Sequence, residues 1–291
     1  MVSRFSILLL AFVFLLIGCQ TPNESPEYER RNLSESFKNY WFSGQAEITS
    51  YTLQQERYGE MRQGSAILIY VTEDFLPETQ VKADNPSDKN IPVLKLNKTK
   101  NYLTGIYPYS IMSSVFSPLE EKNHALKIST SVQEWCGHTY TQLNNRNHFE
   151  IRSHSYFEGE ADRVFSLNKT YLEDEVWTLI RINPDELPTG TIAIIPSFEF
   201  TRLRHKEIKP YRADASLKLI DGMQIYSLHY PDLNRTLSIS FEPVSPYKVI
   251  GWEEKTGDFI STAKKDSQIH SEYWTKNKNE HLYLRDSLNL N

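Results

Sequence analysis

The sequence predicts a mainly β protein: one curved antiparallel sheet, half-barrel or barrel-like, around a single amphipathic helix, with a short helix in the tail. Three observations lead there. Seventeen Tyr and fourteen Phe stand beside only eleven Gly in 291 residues, and aromatic side chains suit a pleated, half-buried surface. From Tyr40 onward, short apolar or alternating runs recur between polar turns, the pattern of a meander. Between those strands a single segment, residues 171–183, keeps helical spacing.

Taken in order, Met1 to Arg4 supply a short positive start, and Phe5 to Ile17 are apolar except for Ser6. This reads as a secretory signal over residues 1–18, too short for a permanent span, which needs about 20 apolar residues. Leu16-Ile17-Gly18-Cys19 resembles the lipobox of bacterial lipoproteins. The resemblance implies diacylglycerol on the Cys19 thiol, cleavage before it and acylation of the new amino group. Two or three chains at about 0.8 kcal/mol per buried CH₂ anchor stably where one is marginal. Gln20 in place of Asp resembles the class sorted to the outer membrane. Residues 19–36 are polar, with two prolines, and read as a tether.

Residues 37–260 carry the expected β domain. Ala66 to Val71 is a continuous apolar run, the mark of a fully buried strand, and 77–92 is a loop. Leu94, Leu96 and Tyr102 to Ile106 are strand-like, and Leu126, Ile128, Thr130 and Val132 alternate. Around the turn at Asn144 to Asn147, Phe149, Ile151 and Phe157 share one face. His148, Glu150, Arg152, His154 and Glu158 share the other, so this hairpin has one wet side. The helix has Thr170 as its expected cap, Glu173, Asp174 and Glu175 in its first turn, and Asn183-Pro184 as its stop. Its apolar face is Leu172, Val176, Leu179 and Ile180. Strands resume at Ile192–Ile195 and at Ala213 to Leu219, turn at Asp221-Gly222, and return through Ile225–Tyr230 and Leu237 to Phe241. Tyr247 to Trp252 is the expected closing strand. Residues 261–291 read as a polar tail with a short helix at Leu282, Leu284 and Leu288.

Composition and motifs exclude several classes. The net charge is −5, or −6 without Arg4, which gives no electrostatic case for nucleic acid. The eight histidines show no metal spacing, and neither a phosphate loop nor a GxSxG elbow is present; no metal and no cofactor is expected. The Glu73-Asp74 pair and Asp84 flank an exposed loop and could bind a cation, although a solvated loop is the favoured reading. Trp41, Trp135, Trp177 and Trp252 fall one per element, as core anchors do.

One stretch carries potential chemistry: Glu134-Trp135-Cys136-Gly137-His138. With Cys19 lipidated, Cys136 is the one thiol left, so no intrachain disulfide is available. On a strand, Glu134, Cys136 and His138 share a face, which suggests a thiol hydrolase. Alternate side chains there sit about 7 Å apart, beyond hydrogen-bond reach. Leu126 to Val132 share that face, so Cys136 is expected to be buried and inert.

The helix-in-sheet pattern resembles the half-barrel lipid carriers of the bacterial envelope. The segment Pro246-Tyr247 to Trp252 is similar to the last strand of small periplasmic β-barrel domains. Further phrases are Tyr40-Trp41 with Gly44, Glu47-Ile48-Thr49-Ser50-Tyr51, Thr72-Glu73-Asp74-Phe75, Val81-Lys82-Ala83-Asp84 and Gln133 to Gly137. In these the whole mature chain resembles a group of envelope lipoproteins that often carry the label "septum formation inhibitor Maf". The label does not fit the residues. Maf proteins are cytoplasmic nucleotide pyrophosphatases with an α/β fold and a Ser-x-Ser-Pro-Arg-Arg stretch that is missing here.

The expectation is therefore a non-catalytic protein anchored by acyl chains, in the outer membrane and facing the periplasm. It would bind or carry an apolar, lipid-like ligand against Leu172, Val176 and Leu179, or serve as a scaffold. The alternatives are a thiol hydrolase using Cys136 and His138 with Glu134, and, disfavoured, the pyrophosphatase of the label.

Overall fold

Paired left-handed residues set several of the strand ends. Tyr58-Gly59 (φ 58° and 76°) and Asp221-Gly222 (φ 50° and 79°) are two-residue turns of the twist that antiparallel hairpins prefer. The computed structural model describes residues 29–290. The expected signal (1–18), Cys19 and the tether up to residue 28 lie outside the described residues.

Helix α1 (Glu35–Trp41) comes first, with Ser34 accepting from the Phe37 N–H at 3.1 Å as its cap. Then follow β1 (Ala46–Arg57), β2 (Glu60–Leu76), β3 (Val81–Lys82), β4 (Ile91–Thr104), β5 (Tyr107–Pro118), β6 (Lys127–Glu134), β7 (Gly137–Asn145), β8 (Phe149–Ser155), β9 (Arg163–Leu167) and β10 (Tyr171–Leu172). Helix α2 (Glu173–Ile182) leads to β11 (Gly190–Ile195), and α3 (Phe198–Leu203) to β12 (Tyr211–Ile220). The chain continues through β13 (Met223–Tyr230), β14 (Arg235–Phe241), β15 (Val249–Thr256), β16 (Phe259–Ser271) and α4 (Tyr283–Asp286).

All strands join one sheet, in the order β10 to β16, then β1, β2, β4 and on to β9, with β3 beside β2. First and last strands thus pair at the middle of the sheet, and its open edges are β9 and β10, neighbours in the chain. Only β10–β11 is parallel, because α2 is the crossover between them. That crossover lies inside the curve, where α2 packs on β4 and β5 and α3 on β6. The mainly β, curved antiparallel architecture is as the sequence predicts. The core differs in holding a second buried helix, α3.

The apolar run 66–71 has a two-sided explanation. Ala66, Leu68 and Tyr70 belong to the inner core, while Val71, with Ile67 and Ile69, packs under Leu288 and Leu290 of the tail. The tail thus covers the outer face of β1 and β2. Two boundaries need correction. Strand β16 occupies the first part of the stretch read as polar tail, hidden from pattern reading because its inward residues are small: Ser261 and Ala263 are buried. The end of the tether is docked, with Arg30 bridged to Glu121 and the Arg31 guanidinium donating to the Pro118 and Glu121 carbonyls at 2.5 Å each. Nor does the strand at Val249 close the sheet, since β16 follows it and pairs with β1.

Candidate functional site

Strand phase decides which side chains face α2. On β4 the inward row is Leu94, Leu96, Lys98, Lys100 and Tyr102, all buried, so two lysines point into the core. Strand β1 brings Glu47 inside, and β14 brings Arg235. A buried charge is tolerated only when paired and hydrogen-bonded, and the helices supply the partners.

The acidic first turn of α2 is where this happens. Glu173 accepts from Arg235 at 2.5 and 2.7 Å and from the Tyr230 hydroxyl at 2.7 Å. Arg235 also donates to Glu254 at 2.7 Å. Asp174 accepts the Phe198 N–H at 3.0 Å and so ties α2 to the start of α3. Glu175 accepts from the Leu172 and Ala125 N–H groups at 3.2 and 2.8 Å and meets His124 Nδ1 at 2.8 Å. Glu175, not Thr170, therefore accepts a backbone N–H at the helix start, that of the cap residue Leu172; the Thr170 hydroxyl donates to the Ala193 carbonyl instead. At the other end of α2, Arg181 donates to both Glu47 oxygens at 2.6 and 2.7 Å and lies over the Trp41 and Tyr70 rings. On α3, Glu199 faces Lys100 at 2.6 Å and Lys98 at 3.3 Å.

These groups hold one another's charge. Burial opposes ionisation of Glu47 and Glu199, but Arg181 and the two lysines outweigh it and hold both carboxyls near a pKa of about 2. For Asp174 burial wins over Lys98 and the Phe198 N–H, and its pKa is pushed up to about 6. Such pairs tie α2 and α3 to the sheet; replacing a buried pair by apolar groups is often neutral, while breaking one is costly.

The three residues expected to face a ligand lie in or against the main core. Leu172 and Val176 are 2% and 1% exposed and belong to the main core with Trp177, Ile180, Phe198 and Phe200, while Leu179 packs at its margin. Side chains of two helices, α2 and α3, pack into the concave side that one helix was expected to line.

The thiol stretch also departs from expectation. Trp135 and Cys136 are the turn between β6 and β7, not strand residues, so Cys136 is exposed rather than buried. The reason is local: Gly137 at φ 155° begins the return strand against Glu134. Glu134 accepts the Cys136 N–H at 2.7 Å, and its carboxylate pushes the thiol pKa up. His138 is exposed and paired across the hairpin with Gln133, so the three residues do not assemble as acid, base and nucleophile. Trp135 is 67% exposed beside Tyr107; Trp41, Trp177 and Trp252 are the buried anchors. Among the described residues no cluster of His, Cys, Asp and Glu could hold a metal, and no helix is long and apolar enough to cross a membrane.

No protein-family model matches the chain, and no curated protein matches it. Among solved structures, the chain is similar to one of a protein of unknown function. It is the crystal structure of a beta-barrel-like protein of domain of unknown function DUF1849 from Brucella abortus, at 7% identity and a TM-score of 0.45, covering 77% of this chain and 96% of that one.

The interior charges left no simple trace in the sequence. The one available signal was the phase of β4, which puts Lys98 and Lys100 on the same face as Leu94 and Leu96.

Proposed function

We propose that this chain is a lipid-anchored protein of the bacterial envelope that works by binding at its outer surface, as a scaffold, without catalysis and without a guest inside the sheet. The observation that carries the reading is the occupied concave side. Leu172, Val176, Trp177, Ile180 and Phe198 fill it, and the Arg181–Glu47 and Arg235–Glu173 pairs fasten α2 there. A carrier needs a concave pocket of several hundred Å³ for an acyl chain, and here helices stand in that place. The carrier alternative loses its support accordingly.

The thiol-hydrolase alternative needs an activated thiolate, favoured by nearby positive charge, whereas Cys136 sits against the carboxylate of Glu134. The pyrophosphatase of the Maf label belongs to an α/β fold, and this sheet is antiparallel apart from β10–β11. The anchor itself rests on the resemblance of Leu16 to Cys19 to a lipobox. Membrane fractionation of cells making the wild-type chain and a Cys19→Ala variant tests it. Wild type should take up labelled fatty acid and sediment with membranes, and the variant should do neither. A variant that stays with the membranes, beside an unlabelled wild type, would sink the reading.

A further inference from the structure

Where the chain enters the described fold, five segments meet around an open groove of about 370 Å³. They are the end of the tether, α1, the β5–β6 turn, the end of α2 with the residues just after it, and the β14–β15 connection. Leu33, Phe37, Ile182 and Tyr247 are the apolar part of a lining that is otherwise polar. Phe37 and Ile182 are buried, and Tyr247 is held in the left-handed region at φ 56°, a conformation bulky residues adopt only where their surroundings impose it. The volume falls within the range of small-molecule sites.

The rim is basic in an acidic protein. Arg30, Arg31 and Lys122 line the groove against one carboxylate, Glu186. Arg31 is spent on Glu186 at 2.8 Å, with both side chains largely buried. Arg30 is exposed. Lys122 meets Glu29 at 2.5 Å, but as a surface pair with side chains 38% and 73% exposed, and such pairs are weak enough to yield to a second anion. The groove thus offers an apolar patch within a polar lining, with two cations at its lip, complementary to an anionic amphiphile.

Position selects among amphiphiles. Cys19 and Glu29 are ten positions apart, a reach of at most about 35 Å, so an acylated Cys19 would keep the groove within about that distance of the bilayer. We propose that it seats an anionic phospholipid of the anchoring membrane, with acyl chain on Phe37 and Ile182 and phosphate between Arg30 and Lys122. This rests on the anchored reading and adds a second, non-covalent contact that sets how the domain stands on the bilayer.

The test is photocrosslinking of the full-length lipidated protein in phosphatidylcholine vesicles carrying a trace of phosphatidylglycerol with a photoactivatable acyl chain. Adducts should concentrate on peptides containing Phe37, Ile182 and Tyr247. Arg30→Glu with Lys122→Glu should cut their yield roughly tenfold, as replacing two cations by anions beside the lipid phosphate implies. Both positions are at the surface, and an unchanged circular dichroism spectrum checks the fold. Label scattered over the exposed surface would overturn the proposal. So would full yield in the double variant, equal labelling by photoactivatable phosphatidylcholine, or displacement by inorganic phosphate alone. Protein that floats with the vesicles but gives no groove adduct sinks only this site, while protein that does not float sinks the anchor.

Discussion

Arg181 and Glu47 meet through two hydrogen bonds of 2.6 and 2.7 Å although 134 positions apart in the chain, with side chains 1% and 2% exposed. The pair joins the end of α2 to the first strand of the sheet, and Arg181 Nε also donates to the Pro246 carbonyl at 2.8 Å. Truncating one member leaves the other as a bare buried charge. Arg181→Ala should therefore destabilise the protein by roughly 3–5 kcal/mol, while Arg181→Met with Glu47→Leu should cost much less. Urea unfolding of the two variants compares them directly; equal losses would show that packing, not the orphaned charge, dominates.

Asp174 gives a dependence on pH. Its folded pKa is about 6 against 3.8 in a free chain, so the folded state binds the proton more tightly. Stability from this group then rises as pH falls from 7 towards 4, by up to about 3 kcal/mol. His124, raised because Glu175 outweighs burial, acts in the same direction. Glu47 and Glu199, held near about 2 against a free value of 4.5, act oppositely: their contribution is lost as pH falls below about 4.5. Thermal unfolding should thus be most favourable to the fold near pH 5. Asp174→Asn should raise stability at pH 8 and remove most of the gain between pH 8 and 5, with His124→Asn removing the rest. A variant less stable at pH 8 would mean that the carboxylate's tie to Phe198 and Lys98 outweighs its burial.

Cys136 should label completely in the native protein, yet slowly at neutral pH. The turn exposes it, and Glu134 disfavours the thiolate. Maleimide kinetics should speed up on Glu134→Gln, and Cys136→Ser should leave stability unchanged within about 0.5 kcal/mol, as for other surface substitutions. Protection of the thiol in the folded state would contradict the turn.

Gly64 has no room for a side chain. A Cβ there would lie 2.2 Å from the Asn101 carbonyl oxygen and 2.7 Å from the Tyr102 Cβ. Gly64→Ala should therefore force β2 and β4 apart and cost about 1–3 kcal/mol, read by chemical denaturation. An unchanged midpoint would mean that the strands relax without penalty.

Pattern reading recovered what periodicity encodes and lost what depends on distant partners. The hairpins at Asn144 to Asn147 and Asp221-Gly222 were readable from turn chemistry, as was the span of α2 from its acidic start and Asn183-Pro184 stop. Strand β16 was lost because small inward residues beside lysines look like a tail. Cys136 was misplaced because one glycine moves a residue from strand to turn. The ion pairs were out of reach for a different reason: Glu47 and Arg181 look like surface residues until the sheet curls and α2 enters it. Only their phase with buried neighbours hints otherwise.

The occupied concave side is most directly tested by hydrogen exchange at the α2 amides, Trp177 to Ile182, in the presence and absence of phospholipid. If side chains and ion pairs fill that space, these amides exchange only through global unfolding, and added phospholipid slows them no more than it slows the other globally exchanging amides of the core strands. Exchange by local opening of α2, slowed when phospholipid is added, would instead reveal a space that a guest enters and would contradict the account.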